Sequence, residues 1–159
     1  AHDDGLKALD TRLQGSESRI QALQKDAAER AQILNNLPKP PTLLMTTVLT
    51  DDKVRFKSGR AELSDEAGRD LDQLVAKLKA DNQPAYIEIQ GHTDATGSDA
   101  MNQQLGLKRA EAVRLYLARA GLPLPRMTTI SYGESAPLAD NNSREGRSTN
   151  RRVQVIVMR

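Results

Sequence analysis

Residues 86–94 read YIEIQGHTD, and this stretch places a predicted strand directly before an acidic residue and a predicted helix. Its two isoleucines alternate with polar residues, a pattern that predicts a strand with one buried face. Asp94 follows the strand directly, and Ser98 is placed to cap a helix that runs to about Ala120, just before a glycine. The sequence therefore predicts a carboxylate at the junction between a strand and a helix.

The predicted helix brings a guanidinium to the same region. At about 100° per residue, Arg109 falls on a partly apolar face of the helix. That face also carries Asn102, Leu105, Val113, Tyr116 and Ala120. A buried guanidinium without a partner costs several kcal/mol, so we expect Arg109 to meet a carboxylate of the protein or of a ligand, and Asp94, just upstream of the same helix, is the nearest candidate by chain geometry. The two side chains either form an ion pair that fixes the loop or hold a ligand that carries both an ammonium and a carboxylate.

Further apolar segments complete the predicted fold. Strand-like segments lie at 43–49, 54–56, 127–132 and 153–158, and a helix capped by Ser64 precedes residues 86–90. This order predicts an α/β protein of the α+β sandwich kind, a βαβαββ mixed sheet covered by two helices. We expect strands joined through a helix to be parallel neighbours, and the last two strands to form an antiparallel pair. Residues 133–150 are predicted to be a long loop.

The N-terminal segment has a seven-residue repeat of apolar side chains. One seam position holds Leu6, Leu13, Ile20, Ala27 and Leu34, and the other holds Leu9, Ser16, Leu23, Arg30 and Leu37. This pattern predicts an amphipathic, coiled-coil-like helix over 1–37, followed by a proline-rich linker at 38–42 and a separate domain at 43–159. Through residues 6–37 the helix pairs with a second copy, binds a partner helix or folds back on the domain.

Composition narrows the classes of function. The chain has no cysteine, which excludes disulfides, thiolate zinc sites and cysteine nucleophiles, and it has no apolar run long enough to span a bilayer. Residues 141–159 contain five arginines against one glutamate, so this segment is either an anion-facing surface or a solvated strand end. Because the chain begins at Ala1 without an apolar leader, we expect any targeting or membrane segment to lie upstream.

Several linked motifs carry a resemblance to a known family. They are GHTDATG at 91–97, Asn102, Leu105, Arg109-Ala110, YGES at 132–135, Pro137, Asn141, GR at 146–147 and NRRV at 150–153. From about Thr42 to Arg159 the chain resembles the OmpA-like domain, the peptidoglycan-anchoring module of envelope proteins of Gram-negative bacteria. The resemblance implies a location in the periplasm, associated with the outer membrane, and a membrane contact only through a lipid anchor or helix upstream of Ala1.

The resemblance also implies a ligand, the diaminopimelate residue of the peptidoglycan stem peptide. Asp94 would accept the ammonium of its side chain and Arg109 would hold its carboxylate. Thr93 and Asn102 would support them through hydrogen bonds, and the backbone at Ser58-Gly59 would form the opposite wall.

The supporting residues that the resemblance implies are His92, Leu105, Arg151 and Arg152. One of the two arginines is expected to orient Asp94 while the other faces solvent, and His92 is expected to be a structural residue at the end of its strand.

The sequence departs from the commonest family pattern at two positions. Lys57 stands where an aspartate often follows the phenylalanine, which changes the charge at the rim of the site. Gly106 stands where a serine often follows the leucine, which removes a hydroxyl and costs up to about 1 kcal/mol in a helix interior.

Two other classes of function fit the sequence less well. A zinc enzyme needs three or four protein ligands, but the only histidines are His2 and His92, and no Gly-x-Ser-x-Gly motif suggests a serine nucleophile. We therefore expect no metal, cofactor or catalytic residue. Binding of single-stranded nucleic acid needs stacking platforms, and the four aromatic residues are predicted to lie in the core. A third alternative is a scaffold or secretion-complex subunit in which the domain mainly docks to proteins.

Overall fold

The computed structural model describes the backbone of residues 2–51, 53–57 and 60–159. The chain divides into two compact units, Ala1–Pro40 and Pro41–Arg159. The first unit is built from helix α1, His2–Asn36, which ends just before the prolines that cannot continue it. In the described ranges, no helix has both the length and the apolar character needed to cross a bilayer. The large apolar side chains of α1 are 54% to 69% exposed; they are Leu6, Leu9, Leu13, Ile20, Leu23, Ile33 and Leu34.

The second unit is an α+β sandwich, as predicted. Its strands are β1 Leu43–Thr50, β2 Val54–Lys57, β3 Arg60–Leu63, β4 Tyr86–His92, β5 Met127–Gly133 and β6 Arg152–Met158. Its helices are α2 Asp65–Asp81, α3 Asp99–Arg119 and α4 Arg144–Asn150. A mixed sheet of four strands is covered by α2 and α3, and the core between the layers is made mainly of Leu, Ile and Val, with Ala67, Ala110 and Met127.

Both long helices of the domain begin at the serines that the sequence marks as caps. The hydroxyl of Ser64 accepts a hydrogen bond from the amide of Ala67 at 3.1 Å, and the hydroxyl of Ser98 accepts one from the amide of Met101 at 3.3 Å. Each hydroxyl satisfies one of the amides that a helix leaves without an intrahelical partner. Helix α2 ends at Asn82, whose φ of 47° lies in the left-handed region. The predicted helix starts are therefore confirmed.

The order of strands in the sheet differs from the prediction. The order is β1-β6-β4-β5; β4 and β5 are parallel neighbours joined through α3, as expected. However, β1 is not a neighbour of β4, and β5 is not a neighbour of β6. Strand β6 instead lies between β1 and β4 and is antiparallel to both. Val153, Val155 and Val157 of β6 are fully buried, and the central position gives this apolar strand hydrogen-bonded neighbours on both of its edges.

Two smaller expectations are also corrected. Residues 133–150 are not only a loop, because they contain α4, whose start is capped by the hydroxyl of Ser143 accepting from the amide of Gly146 at 2.9 Å. Tyr86, expected in the core, is 62% exposed at the start of β4. Strands β2 and β3, which follow β1 and precede α2 along the chain, pair antiparallel in a separate two-stranded sheet.

Candidate ligand-binding site

Two glycines allow β4 and α3 to approach closely at the end of the strand. A Cβ atom at Gly91 would overlap the backbone of Gly106, and a Cβ atom at Gly106 would overlap the side chain of Ser131. Because of this approach Arg109 reaches the end of β4, where its Nη1 donates to the carbonyl of His92 at 3.2 Å. Gly106, a departure from the commonest family pattern, therefore has a packing role in this chain.

Four charged side chains of alternating sign meet at this end of the sheet. Arg109 Nη2 donates to Asp51 Oδ1 at 3.0 Å, and Asp51 Oδ2 accepts from Arg151 Nε at 2.9 Å. Arg151 Nη1 donates in turn to Asp94 Oδ2 at 2.8 Å. The series Asp94, Arg151, Asp51 and Arg109 thus joins the end of β4, the start of β6, the turn after β1 and helix α3. We call these four residues the charged series.

Asp51 is the member that the sequence analysis missed. The sequence marks it only as a turn residue after the first strand, whereas the structure uses it to bridge two guanidinium groups. Asp94 was the expected partner of Arg109, but the carboxylate that pairs with Arg109 is 58 positions away, and Asp94 pairs with Arg151. An acidic residue at the end of an apolar strand was the available signal, and the fold was needed to place it opposite α3.

The two residues predicted to hold the ligand charges are both buried. Asp94 is 8% exposed and Arg109 is 6% exposed. Burial by itself raises the pKa of Asp94, but hydrogen bonds from Arg151 and Thr96 favour the charged form and hold the pKa below its ordinary value. Burial lowers the pKa of Arg109, and the carboxylate of Asp51 opposes that effect. At neutral pH the site therefore contains a carboxylate and a guanidinium that are both ionised and largely shielded from water.

The structure also describes three further residues of the predicted site, Thr93, Asn102 and Leu105. The hydroxyl Oγ1 of Thr93 is buried and has no hydrogen-bond partner among the described residues. Asn102 Nδ2 donates to the carbonyl of Asp94 at 3.3 Å and to Glu134 Oε2 at 2.5 Å, so it ties the loop after β4 to the loop after β5. Asn102 and Leu105 also line a shallow groove of about 280 Å³ beside the N-terminus of α3.

Two of the predicted supporting residues, His92 and Arg152, are buried and face each other across β4 and β6. His92 is 2% exposed, stacks on Tyr132 with ring centroids 5.2 Å apart, and has its pKa lowered to about 4 by burial and by the nearby charge of Arg152. It is therefore neutral at pH 7. Arg152 is 3% exposed and donates to the carbonyls of Asn150 and Ala136, so the expectation that one of the two arginines faces solvent is wrong. Arg151 is the arginine that contacts Asp94.

Asn150 is a second residue whose role the sequence analysis did not foresee. It is fully buried; its Oδ1 accepts from the amides of Leu138 and Ala139, and its Nδ2 donates to Asn141 Oδ1 at 2.9 Å. Asn141 Oδ1 also accepts from the amide of Ala95 at 3.3 Å. Asn150 therefore fixes the loop before α4 against the loop that carries Asp94.

Some predicted features cannot be placed. Ser58 and Gly59, the predicted opposite wall, lie outside the described residues, and the effect of Lys57 on the rim stays a prediction. Across the part of the chain that the structure does describe, no cluster of three or more His, Asp or Glu side chains could hold a metal ion.

Comparison with known proteins identifies the family. The sequence profile of the OmpA family matches residues 55–151. Outer membrane porin F from Pseudomonas fluorescens is 42% identical over 89 residues, 56% of this chain but only 26% of that protein, so the chain spans about a quarter of its length.

Two solved structures share the fold. The peptidoglycan-associated lipoprotein from Burkholderia pseudomallei is 34% identical with a TM-score of 0.58, over 65% of this chain and 87% of that one. The cell wall anchor of the T6SS from Pseudomonas aeruginosa is 26% identical with a TM-score of 0.59, over 74% and 86%. The profile match covers more than half of the chain, which therefore belongs to the OmpA family.

Proposed function

We propose that the domain binds cell-wall peptidoglycan non-covalently through the diaminopimelate of the stem peptide, and so tethers an envelope protein or complex to the wall. The observation that carries this proposal is the burial of Asp94 and Arg109, both ionised, at one end of the sheet. Relatives named for the outer membrane and for association with peptidoglycan support it, and they agree with a location in the Gram-negative envelope.

The chemistry of the ligand fits this arrangement. The side-chain end of diaminopimelate carries an ammonium and a carboxylate on the same carbon atom, so it needs an anion and a cation a few ångströms apart. Asp94, oriented by Arg151, accepts the ammonium, because an ionised carboxylate has about four sites for donors. Arg109 holds the carboxylate, since a guanidinium can form two parallel hydrogen bonds to it.

The neighbouring residues complete the proposed site. The buried hydroxyl of Thr93 is available to the ligand, and Asn102 keeps the loop of Asp94 in place. Ser58 and Gly59, which lie outside the described residues, are proposed as the opposite wall from the family resemblance alone, and Leu105 lines the groove. The site performs no catalysis in this proposal, in keeping with relatives that are named for binding and anchoring.

Helix α1 has a separate proposed role. Its exposed apolar side chains form a stripe that becomes buried when α1 pairs with a second copy or with a partner helix through residues 6–37. The second candidate function for the whole chain is a subunit of a secretion or motor complex whose OmpA-like domain mainly docks to proteins. The likeness to the cell wall anchor of the T6SS favours it. Anchoring and assembly are compatible in one protein.

Sedimentation with purified peptidoglycan sacculi tests the proposed binding. The wild-type protein should sediment, whereas Asp94→Ala and Arg109→Ala should bind at least about 30-fold more weakly, since each leaves one ligand charge without its partner. Arg119→Ala and Glu145→Ala change exposed charges and should sediment like wild type. Because the pKa of Asp94 is lowered, wild-type binding should persist at pH 5 and fade only below the ordinary carboxyl value of about 3.9.

Circular dichroism shows whether each variant is folded. Equal sedimentation of folded Asp94→Ala, Arg109→Ala and wild type would remove the support for peptidoglycan binding at this site and favour the docking alternative.

A further inference from the structure

We propose that Asp51 is an internal competitor for the ligand: it occupies Arg109 in the free protein and gives way to the carboxylate of the bound amino acid. The inference rests on the proposed function of the site, because it concerns how that site is regulated. It starts from the contact between Asp51 Oδ1 and Arg109 Nη2 at 3.0 Å, which places a protein carboxylate on the guanidinium that would hold a ligand carboxylate.

The hydrogen bonds of Arg109 show which contact is exchangeable. Its Nη1 donates to the carbonyl of His92, a backbone group at the end of β4 that cannot move without disturbing the sheet. Its Nη2 donates to the side chain of Asp51, which belongs to a turn. A ligand carboxylate that reaches Arg109 therefore replaces Asp51 rather than the carbonyl.

The exposure of the two partners decides which of them moves. The side chain of Arg109 is 7% exposed and that of Asp51 is 33% exposed. A guanidinium held on a core helix cannot move away without losing its hydrogen bonds to the protein, and a buried charge without a partner is costly. The carboxylate at the surface can rotate away into water. Asp51 is thus the mobile partner of this ion pair.

The rest of the charged series limits the cost of that movement. Asp51 Oδ2 accepts from Arg151 Nε at 2.9 Å, and this second contact can persist when Oδ1 leaves Arg109. The turn itself is held separately, because Lys53 Nζ contacts Asp70 at 2.6 Å and Glu66 at 3.4 Å on α2. The exchange therefore replaces one carboxylate by another on Arg109 while the backbone of the turn stays in place.

This exchange has a consequence for selectivity and affinity. Ligand affinity is reduced by the fraction of molecules in which Arg109 is occupied, so removing the charge of Asp51 should strengthen binding. The gain should be limited to ligands that bring their own carboxylate to Arg109. A ligand with an ammonium alone, such as a lysine side chain, has no carboxylate to place on Arg109 and gains nothing when Asp51 moves away.

Calorimetry with two peptides tests the inference. One peptide contains diaminopimelate with its main-chain amino and carboxyl groups both in amide bonds, and the other has lysine at the same position. Asp51→Asn, which keeps the shape and one acceptor, should bind the diaminopimelate peptide about tenfold more tightly than wild type, the gain expected if Asp51 left about a tenth of the wild-type sites open. It should bind the lysine peptide no more tightly. Glu145→Gln, a change at an exposed carboxylate, should match wild type with both peptides.

The outcomes separate this inference from the proposed function. If wild type binds the diaminopimelate peptide and Asp51→Asn binds it equally or more weakly, Asp51 is a positioning residue and the competition is wrong. If neither protein binds the peptide, the proposed function fails and this inference fails with it. A crystal structure of wild type with the peptide serves where the variant is unstable: release of Asp51 from Arg109 supports competition, and a retained 3.0 Å contact overturns it.

Discussion

Helix α1 exposes its large apolar side chains, whereas the domain Pro41–Arg159 buries a set of charged and polar ones. In α1, Leu9 and Leu23 are 69% and 68% exposed, and the ion pairs Lys7 to Asp3 and Arg30 to Asp26 lie at the surface. The buried polar side chains of the domain are His92, Thr93, Asp94, Asn102, Arg109, Asn150 and Arg152.

The difference indicates where each region obtains its stability. Exposed ion pairs contribute little, so the proposed pairing of α1 with a second copy or a partner helix would stabilise it by burying its apolar stripe. The domain has a complete apolar core and can sustain the cost of buried charges because each charged side chain has hydrogen-bonded partners. The two proposed roles, assembly for α1 and ligand binding for the domain, therefore belong to different parts of one chain.

The same substitution made in both regions should have unequal effects. Leu71→Ala removes a fully buried side chain from the core and should lower the free energy of unfolding of the domain by about 4 kcal/mol. Leu13→Ala removes a side chain that is 59% exposed and should leave that free energy unchanged to within about 0.5 kcal/mol. Urea unfolding followed by tyrosine fluorescence measures both.

Light scattering on the same two proteins completes the comparison. Leu13→Ala should shift the molar mass toward the monomer at a given concentration, and Leu71→Ala should not while the domain is folded. A wild type that is monomeric, as the protein without residues 1–37 is expected to be, would contradict self-association of α1.

Local features of the fold were predictable from sequence, and features that depend on distant pairing were not. Ser64 and Ser98 were found as helix caps because a cap needs only the three residues that follow it. The position of β6 between β1 and β4 depends on which strands meet after the chain has folded, and adjacency along the sequence favoured the wrong pairs.

The candidate site follows the same rule. Asp94, Thr93, Asn102 and Arg109 lie within one β-strand, loop and helix, so a sequence motif contains them all. Asp51 comes from a turn that only the pairing of β1 with β6 brings to them, and the sequence around it marks no more than an acidic residue at the end of an apolar strand. The ligand roles of these residues stay predictions, because they concern a molecule that binds the site rather than the fold.

The buried histidine of the domain should make its stability depend on pH, unlike that of α1. The pKa of His92 falls from 6.5 to about 4 on folding, which corresponds to about 3 kcal/mol. The unfolded chain binds the proton more tightly, so stability is fully present above pH 6.5 and is lost as the pH falls toward 4. Between pH 6.5 and pH 5 urea unfolding should show a loss of about 2 kcal/mol.

His92→Phe provides the control for this effect. A phenyl ring can retain the stacking on Tyr132 but cannot titrate, so the pH dependence between 6.5 and 5 should largely disappear. If the variant shows the same slope as wild type, the loss of stability comes from other groups and the account of His92 is wrong.

Glycines in helices of the two regions give the smallest predicted effect and the one most sensitive to packing. A Cβ at Gly15 in α1 would meet nothing within 4 Å, so Gly15→Ala should stabilise the helix by about 1 kcal/mol, seen as a higher midpoint of helix melting by circular dichroism. Gly106→Ala in α3 gains the same helix propensity but places a methyl group against Ser131 and the backbone of Gly91. Overpacking of this kind costs about 1 to 3 kcal/mol, so the domain should lose about 1 kcal/mol in net stability.

The side chain of Ser131 separates packing from propensity at this position. Its Oγ is the atom nearest to the added methyl group, so Ser131→Ala combined with Gly106→Ala should recover part of the loss, although the backbone of Gly91 still limits the recovery. If Gly106→Ala stabilises the domain as Gly15→Ala stabilises α1, then β4 and α3 can move apart without cost. Arg109 would in that case not be held at the end of β4 by close packing, and the geometry of the charged series would have to be maintained by its ion pairs alone.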